Sequence, residues 1–574
     1  MNNIGNGHQV ADFYDRERLL ALDGEFRAFL AGRDPELAGR LDAGRADADA
    51  LGADEAELII ELAPHLEAFL AREFGIEAEL AELSERHSVL DPVFEVRRNF
   101  VQRRALKGVK PEAAAEIPGP ALAAELAALI GQPLEDIAFA RAVLGWLENP
   151  DDNAAALETA ASYAAWATLS GQGPESVLFV SPDKVDHGDL LPAVHQEEHD
   201  GVACHVLGDD HRRRRQGFHL TDQGTDLAGA LGEANYCIWC HRQQKDSCAR
   251  GLRQKVKDGP APFRDDPLGV TLTGCPLEER VSEFQYLKAQ GLALGALAVV
   301  AIDNPLVAAT GHRICNDCMK ACIYQRQTPA NIPEVESRTL KDVLGLPWGF
   351  EIYSLLTRWN PLNLRRPVPK PASGKRVLVV GMGPAGFTLA HHLLQEGHTV
   401  IGIDGLKIEP LEAALSGVAA DGSRRPFEAI ADTGALYEDL DDRIMAGFGG
   451  VAEYGITVRW DKNFLKLIRL LLQRRERFAL FGGVRFGSTI TLEDAWEQGF
   501  DHVALALGAG RPTILDLPGG LARGVRTASD FLMALQLTGA AKRNSIANMQ
   551  LRLPVVVIGG GLTAIDTATE SLAY

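Results

Sequence analysis

The run Arg376-Val-Leu-Val-Val-Gly-Met-Gly-Pro-Ala-Gly386 decides the fold of this chain. Val377–Val380 is apolar without alternation, as expected of a strand covered on both faces of a parallel sheet. The strand runs directly into a glycine turn and then a helical stretch, Phe387–Gln395. In such a unit the first glycine, Gly381, makes the tight turn and the second, Gly383, lets the backbone approach a pyrophosphate. The third, Gly386, lets the helix pack closely. With Pro384 and Ala385 these residues form a candidate phosphate cradle, the helix N-terminus offering free N–H groups to the anion. A glycine fingerprint alone is a weak signal, and the strand–turn–helix context is what makes this one specific. A second strand, Thr399–Asp404, ends in an acid 23 residues after Gly381. A carboxylate there accepts ribose hydroxyls and disfavours a 2′-phosphate, so this site suits FAD or NAD rather than NADP.

A second fingerprint follows at Leu553-Pro-Val-Val-Val-Ile558 and Gly559-Gly-Gly561-Leu-Thr-Ala564. It predicts a strand, a turn through Gly559 and Gly561, and a helix over Ile565–Ser571, with Ala564 small enough for close packing. The sequence ends before the second strand of that unit, where the residue choosing NADH or NADPH would stand. The chain is therefore expected to be the front portion of a longer enzyme. Between the fingerprints, residues 482–536 alternate strand and helix patterns, whereas about 406–446 lacks strand periodicity and reads as an insertion.

Seven of the eight cysteines crowd between positions 237 and 322, in two groups. The first is Cys237-Ile-Trp-Cys240, then Cys248, then Cys275; the second is Cys315-Asn-Asp-Cys318-Met-Lys-Ala-Cys322. A CxxC pair puts two thiolates on one tight loop, with backbone N–H groups directed at the sulfurs. Two tetranuclear clusters would need eight ligands. Zinc, at four ligands per site, is the competing reading, with His241 available beside Cys240. Tyr236 and Trp239 are placed to shield a cluster from water, and the dinucleotide unit downstream gives a reason to hold iron. Helices over Pro276–Gln290 and Leu292–Ile302 are expected to join the two cysteine groups.

Residues 1–230 are rich in Ala, Leu, Glu and Arg at helical spacing and read as a helical accessory or docking domain, with Val177–Val180 as a short candidate strand. The formal net charge of -20 over 574 residues argues against a nucleic-acid partner. The run Arg212–Arg215 is an exception that reads as solvated or as a contact for phosphate or an acidic partner. No stretch reaches membrane-spanning length, and the first twenty residues lack the apolar core of a signal peptide, so a cytoplasmic protein is expected.

Together these motifs resemble the glutamate synthase small-subunit family, which includes the flavin and iron–sulfur half of dihydropyrimidine dehydrogenase. The resemblance spans about 235–574. Its further segments are Gly449-Gly-Val-Ala-Glu-Tyr-Gly-Ile456, Ala506-Leu-Gly-Ala509, Leu517-Pro-Gly519 and Gly524–Leu532. It implies that Gly450, Tyr454 and Gly508 line the flavin side. It also implies a multidomain chain: a helical domain at 1–230, a helical double-[4Fe-4S] domain at 231–345 and a linker at 346–372. A Rossmann-like FAD domain would follow at 373–550, and the start of an inserted NAD(P)H domain at 551–574. Carried over from the family, Cys237, Cys240, Cys248 and Cys322 would hold one cluster. Cys275, Cys315 and Cys318 would hold the other, with Glu336, beside Glu334, as its fourth ligand and the eighth of the two clusters. The intervals Cys240–Cys248 and Cys248–Cys275 are longer than the family's, and Cys315–Cys318 is shorter. The activity implied is NAD(P)H-dependent electron transfer through FAD and the clusters to or from a partner protein, in a possible hetero-oligomer. An NAD(P)H:ferredoxin-type oxidoreductase, bifurcating or not, and a non-catalytic electron-relay subunit are the alternatives. No side chain is needed as nucleophile or base.

Overall fold

The computed structural model describes residues 3–574 apart from residues 6, 192–193, 213–214, 221, 244, 257–258, 310–314, 440–460 and 509–511. The helix Asp54–Phe74 (α1) starts with Asp54, Glu55 and Glu57, acids that favour the positive helix N-terminus. It stops at Gly75, whose φ of +65° admits the left-handed turn. Its apolar side chains, among them Leu58, Leu62, Leu66 and Phe69, are fully buried. They pack against Val281–Ala289 (α2) and Ala293–Asp303 (α3), the helices that link the cysteine loops. Ile332–Leu344 (α4) closes on α3 from the far side, and Gly349–Leu356 (α5) packs on both.

The first 83 residues and the cysteine region thus share one continuous core. Residues 346–372, expected from their prolines to connect domains, contribute Trp359, Leu362 and Leu364 to that core. Two buried polar contacts fasten it. Lys288 is ion-paired with Asp342 and lies 3.1 Å from His87 Nε2, and Trp359 donates its indole N–H to Asp23 at 3.1 Å.

A second core unites Phe100, Phe139, Tyr163, Trp166 and Phe179 within residues 93–179. Leu178 and Phe179 are buried there, but Val177–Val180 forms no strand; Ser176 and Asp136 take the backbone N–H groups that a ladder would have used. Arg97 ties this lobe to the cysteine region by donating to the Gly232 carbonyl at 2.7 Å.

The downstream unit is a parallel sheet of Arg376–Val380 (β1), Thr399–Asp404 (β2), Phe478–Gly482 (β3) and His502–Leu505 (β4), in the order β3-β2-β1-β4. Pro384–Gln395 (α6) crosses from β1 to β2. This order, with its turn at the carboxyl end of β1, is that of the first half of a doubly wound dinucleotide fold. The expected strand at Leu553–Ile558 is not formed: Leu553 and Pro554 form a bend, Val556 and Ile558 are exposed, and no neighbouring strand pairs with the segment among the described residues. The helix after it, Leu562–Ala573 (α7), is present and packs against Ala528–Leu537. No helix among the described residues is long and apolar enough to cross a membrane.

Candidate redox site

At the carboxyl end of β1, Gly381 takes φ +95°, and a Cβ there would lie 2.3 Å from the Ala506 carbonyl oxygen. The chain can turn at that point only without a side chain. Gly386 is tighter still, its Cβ position 1.8 Å from the Gly381 oxygen, so the first turn of α6 sits directly on the loop. Gly383 is the N-cap residue of α6, with Pro384 at the first helical position, where a missing N–H costs nothing. Asp404 is buried and shapes the loop: one oxygen accepts the Met382 N–H at 2.8 Å and the other the Leu406 N–H at 2.9 Å. Gly508, at φ +67°, follows β4 at the same end of the sheet. Gly450 and Tyr454 lie outside the described residues. In the second fingerprint, Gly559 has φ +137°, Gly561 caps α7, and Ala564 Cβ lies 3.4 Å from the Cβ position at Gly559.

The cysteines fall into two neighbourhoods that cut across their order in the sequence. In the first, Cys237, Cys240, Cys248 and Cys322 are close enough to raise one another's thiol pKa values. Burial, helped by Cys240, Cys322 and Asp246, pushes Cys237 up to about 12; burial and Asp246 push Cys240 up to about 11. Cys248 hydrogen-bonds to Cys322, which raises Cys248 further and lowers Cys322. The Cys322 sulfur also receives backbone N–H groups from Ile323, Tyr324 and Ala330. Tyr324 lies against this group and stacks on Tyr236, with ring centres 4.5 Å apart. Trp239 packs edge-on to Tyr286. His241 Nδ1 lies 2.6 Å from the Ser282 hydroxyl, and its buried Nε2 has no partner.

The second neighbourhood contains Cys275, Cys315, Cys318 and Glu336, joined by Glu279. Burial raises Cys318 well above the thiol range, with Glu279, Glu336, Cys275 and Cys315 adding to it. The Cys275 sulfur receives the backbone N–H groups of Leu277 and Glu279, and Cys315 that of Asp317. Glu336 is buried on α4 and accepts the Asn304 amide at 2.7 Å; burial raises its carboxyl to about 7. Glu334 lies on the same helix, half-buried.

The long interval between Cys248 and Cys275 has a simple physical solution. The chain leaves after Gly251, doubles back through the bridges Arg253–Phe263 and Asp265–Thr271, and returns at Gly274. At the neck, the Cys275 N–H donates to the Cys248 carbonyl at 2.7 Å, so the excursion leaves the two cysteines adjacent. Gly274 has φ +81° and a Cβ position 2.4 Å from Gly251 N, a crossing closed to any other residue.

Sequence reasoning missed Glu279, Asn304 and the carboxylate of Glu67. Only Glu279 carried a visible signal, an acid four residues after a cysteine in a group one sulfur short of four. In the basic run, Arg212 pairs with Asp209 at 2.9 Å and Arg215 donates to the His219 carbonyl at 2.7 Å.

Comparison with known proteins matches two separate parts of the chain. Residues 4–75 match the family model described as RP005 N-terminal alpha-helical domain, and residues 375–573 match that of pyridine nucleotide-disulphide oxidoreductase. The chain is 55% identical over 269 residues to the uncharacterized protein RP006 of Rickettsia prowazekii (strain Madrid E), covering 47% of this chain and 36% of that protein. It is 28% identical over 259 residues to the uncharacterized protein RP005 of the same organism, covering 42% of this chain and 82% of that protein. To the glutamate synthase [NADPH] small chain of Bacillus subtilis (strain 168) it is 27% identical over 309 residues, covering 52% of this chain and 50% of that protein. The chain thus spans about a third of RP006 and half of the glutamate synthase small chain. At family level it resembles the pyridine nucleotide-linked oxidoreductases to which the glutamate synthase small chains are related.

Proposed function

We propose that this chain carries an oxidoreductase module that moves electrons between NADH or NADPH, FAD and two [4Fe-4S] clusters, and on to or from a partner protein such as a ferredoxin or a second subunit. The observation that carries the reading is the gathering of seven cysteines in one folded region, where the Cys275 N–H meets the Cys248 carbonyl at 2.7 Å, in a chain that also folds a phosphate-cradling loop. The donor set fits clusters better than zinc. A single tetrahedral zinc with Zn–S bonds near 2.3 Å holds its sulfurs about 3.8 Å apart. Among the described residues no three cysteine sulfurs lie within 4.8 Å of one another; the trio that does meet that limit is His8, Glu25 and Glu73. A four-iron cluster spreads its ligands more widely because a cubane stands between them.

Gly381 and Gly386 would admit the FAD pyrophosphate to the N-terminus of α6. Asp404, at the carboxyl end of β2 and bonded to the loop through Met382 and Leu406, would face the adenosine ribose of a bound dinucleotide. When bound, FAD would supply the exchange between a two-electron hydride and single electrons. The backbone N–H groups on Cys275, Cys315 and Cys322 would hold those sulfurs as thiolates and raise the cluster potentials. Anaerobic titration of the full-length protein with NADH and NADPH tests the reading. Bleaching of the flavin band followed by reduced-cluster EPR signals supports it; bound flavin that neither nucleotide bleaches overturns the nicotinamide link.

A further inference from the structure

We propose that a small oxyanion, of the phosphate or carboxylate class, binds at the joint between the helical core and the dinucleotide unit, where it offsets buried arginine charge.

A cavity of about 90 Å³ lies where α3, the strap through residues 356–370 and the end of α6 meet. That is room for several waters or one small ion, and well short of the about 300–1,000 Å³ of a site for a larger ligand. Arg358, Arg366 and Lys370 line it from the strap, and His391 and Gln395 from α6. Glu396, the one carboxylate of the lining, is already ion-paired with Arg366 at 2.6 Å and Lys370 at 2.5 Å. The walls therefore carry an excess of positive charge.

The imbalance deepens behind the walls. Arg358, Arg474 and Arg475 are all buried. Glu351, the carboxylate whose field reaches Arg358, is ion-paired with Arg474 at 2.9 Å. The other two guanidiniums meet only neutral groups. Arg358 donates to the Phe13 carbonyl at 3.0 Å and the Ser354 hydroxyl at 2.8 Å, and lies over the Tyr14 ring. Arg475 donates to Gln395 Oε1 at 2.7 Å, and its buried Nη1 has no hydrogen-bond partner. Burial and the repulsion of Arg358 lower Arg475 to about 9, so it is still charged at neutral pH and its charge has to be offset rather than shed. On the cavity wall, His391 is 1% exposed and its Nδ1 is likewise without a partner. Water in the cavity would serve an unpartnered nitrogen but leave two buried charges uncompensated, which is the costlier deficit. An oxyanion answers both, and guanidinium groups are well suited to recognise one.

Equilibrium dialysis of the desalted whole chain against labelled phosphate and, separately, labelled acetate tests this, at fixed ionic strength with chloride as competitor. A single bound anion per chain is expected, displaced by chloride only in large excess; the tighter of the two ligands assigns the class. His391→Leu and Arg475→Met should each weaken binding at least about tenfold with far-UV circular dichroism unchanged. Arg475→Met should also raise the thermal midpoint in anion-free buffer, because it removes an uncompensated charge, a gain that an arginine with a merely structural role would not give. Excess FAD, which would compete at the Gly381 cradle, should leave the anion in place. The proposal is overturned if neither anion binds at about 10 mM, if both variants bind as the wild type does, or if FAD displaces the anion.

Discussion

Replacing Glu67 by alanine should loosen the helix between the cysteine loops, 227 residues away in sequence. Glu67 projects from α1 and its Oε2 accepts the N–H groups of Leu294 at 2.8 Å and Gly295 at 3.1 Å, capping α3. Both donors are buried, so water cannot replace the carboxylate. Two stranded donors at about 1–3 kcal/mol each give an expected loss of about 2–5 kcal/mol. That is a large share of a typical domain's stability. Because α3 lies between the loops of Cys275 and Cys315, iron content should fall with it.

Glutamine at position 67 separates the cap from its charge. Burial, the largest influence, raises the Glu67 carboxyl from 4.5 to about 7 against the lowering by its two N–H donors. Between those values the native chain keeps a proton that the unfolded chain has released. Stability therefore falls as pH rises from 4.5 to about 7 and is level above, a difference of about 3 kcal/mol. Glu67→Gln keeps an acceptor oxygen and removes this slope, so its urea midpoint should gain on wild type across that window. Urea unfolding at pH 5, 6 and 7.5, followed by tryptophan fluorescence, measures both effects. An alanine variant with an unchanged midpoint, or a glutamine variant with the wild-type slope, would refute the capping role.

Gly386→Ala places a methyl 1.8 Å from the Gly381 oxygen and must push α6 off the loop, so flavin affinity should fall at least about tenfold, read as flavin retained after desalting. Asp342→Ala removes the counter-charge of buried Lys288, leaving it only His87, and should cost about 3–5 kcal/mol in the same urea assay. Cys315→Ser should remove iron from the second neighbourhood and leave bound flavin unchanged, since Cys315 lies on a loop remote in sequence from Gly381; unchanged iron would count against that ligand.

The dinucleotide unit was legible because its signals are local: a continuous apolar strand, glycines at fixed offsets and an acid at the end of the next strand. The partition of the cysteines was not legible from spacing. Cys322 reaches Cys248 only because α2, α3 and the turn after α3 return the chain to it, and the family resemblance, not the intervals, suggested that pairing. The excursion between Gly251 and Gly274 looked like a broken motif because a closed neck has no signature in spacing. Leu553–Ile558 has the composition of a buried strand, but a strand also needs a neighbour to pair with, and composition does not supply one. The helical character of α1 was visible in its apolar stripe, whereas the surface covering that stripe, α3 beyond residue 290, was not. Glu279 has no motif to flag it in the sequence, and only its burial marks it out.

The central claim is that the two cysteine neighbourhoods hold iron beside a flavin. Quantifying iron, acid-labile sulfide, zinc and flavin together, on chain purified without oxygen, tests it most directly. About eight irons, eight sulfides and one FAD per chain, with zinc near background, is the expected result. Zinc in place of iron, or material with neither iron nor flavin, would contradict it.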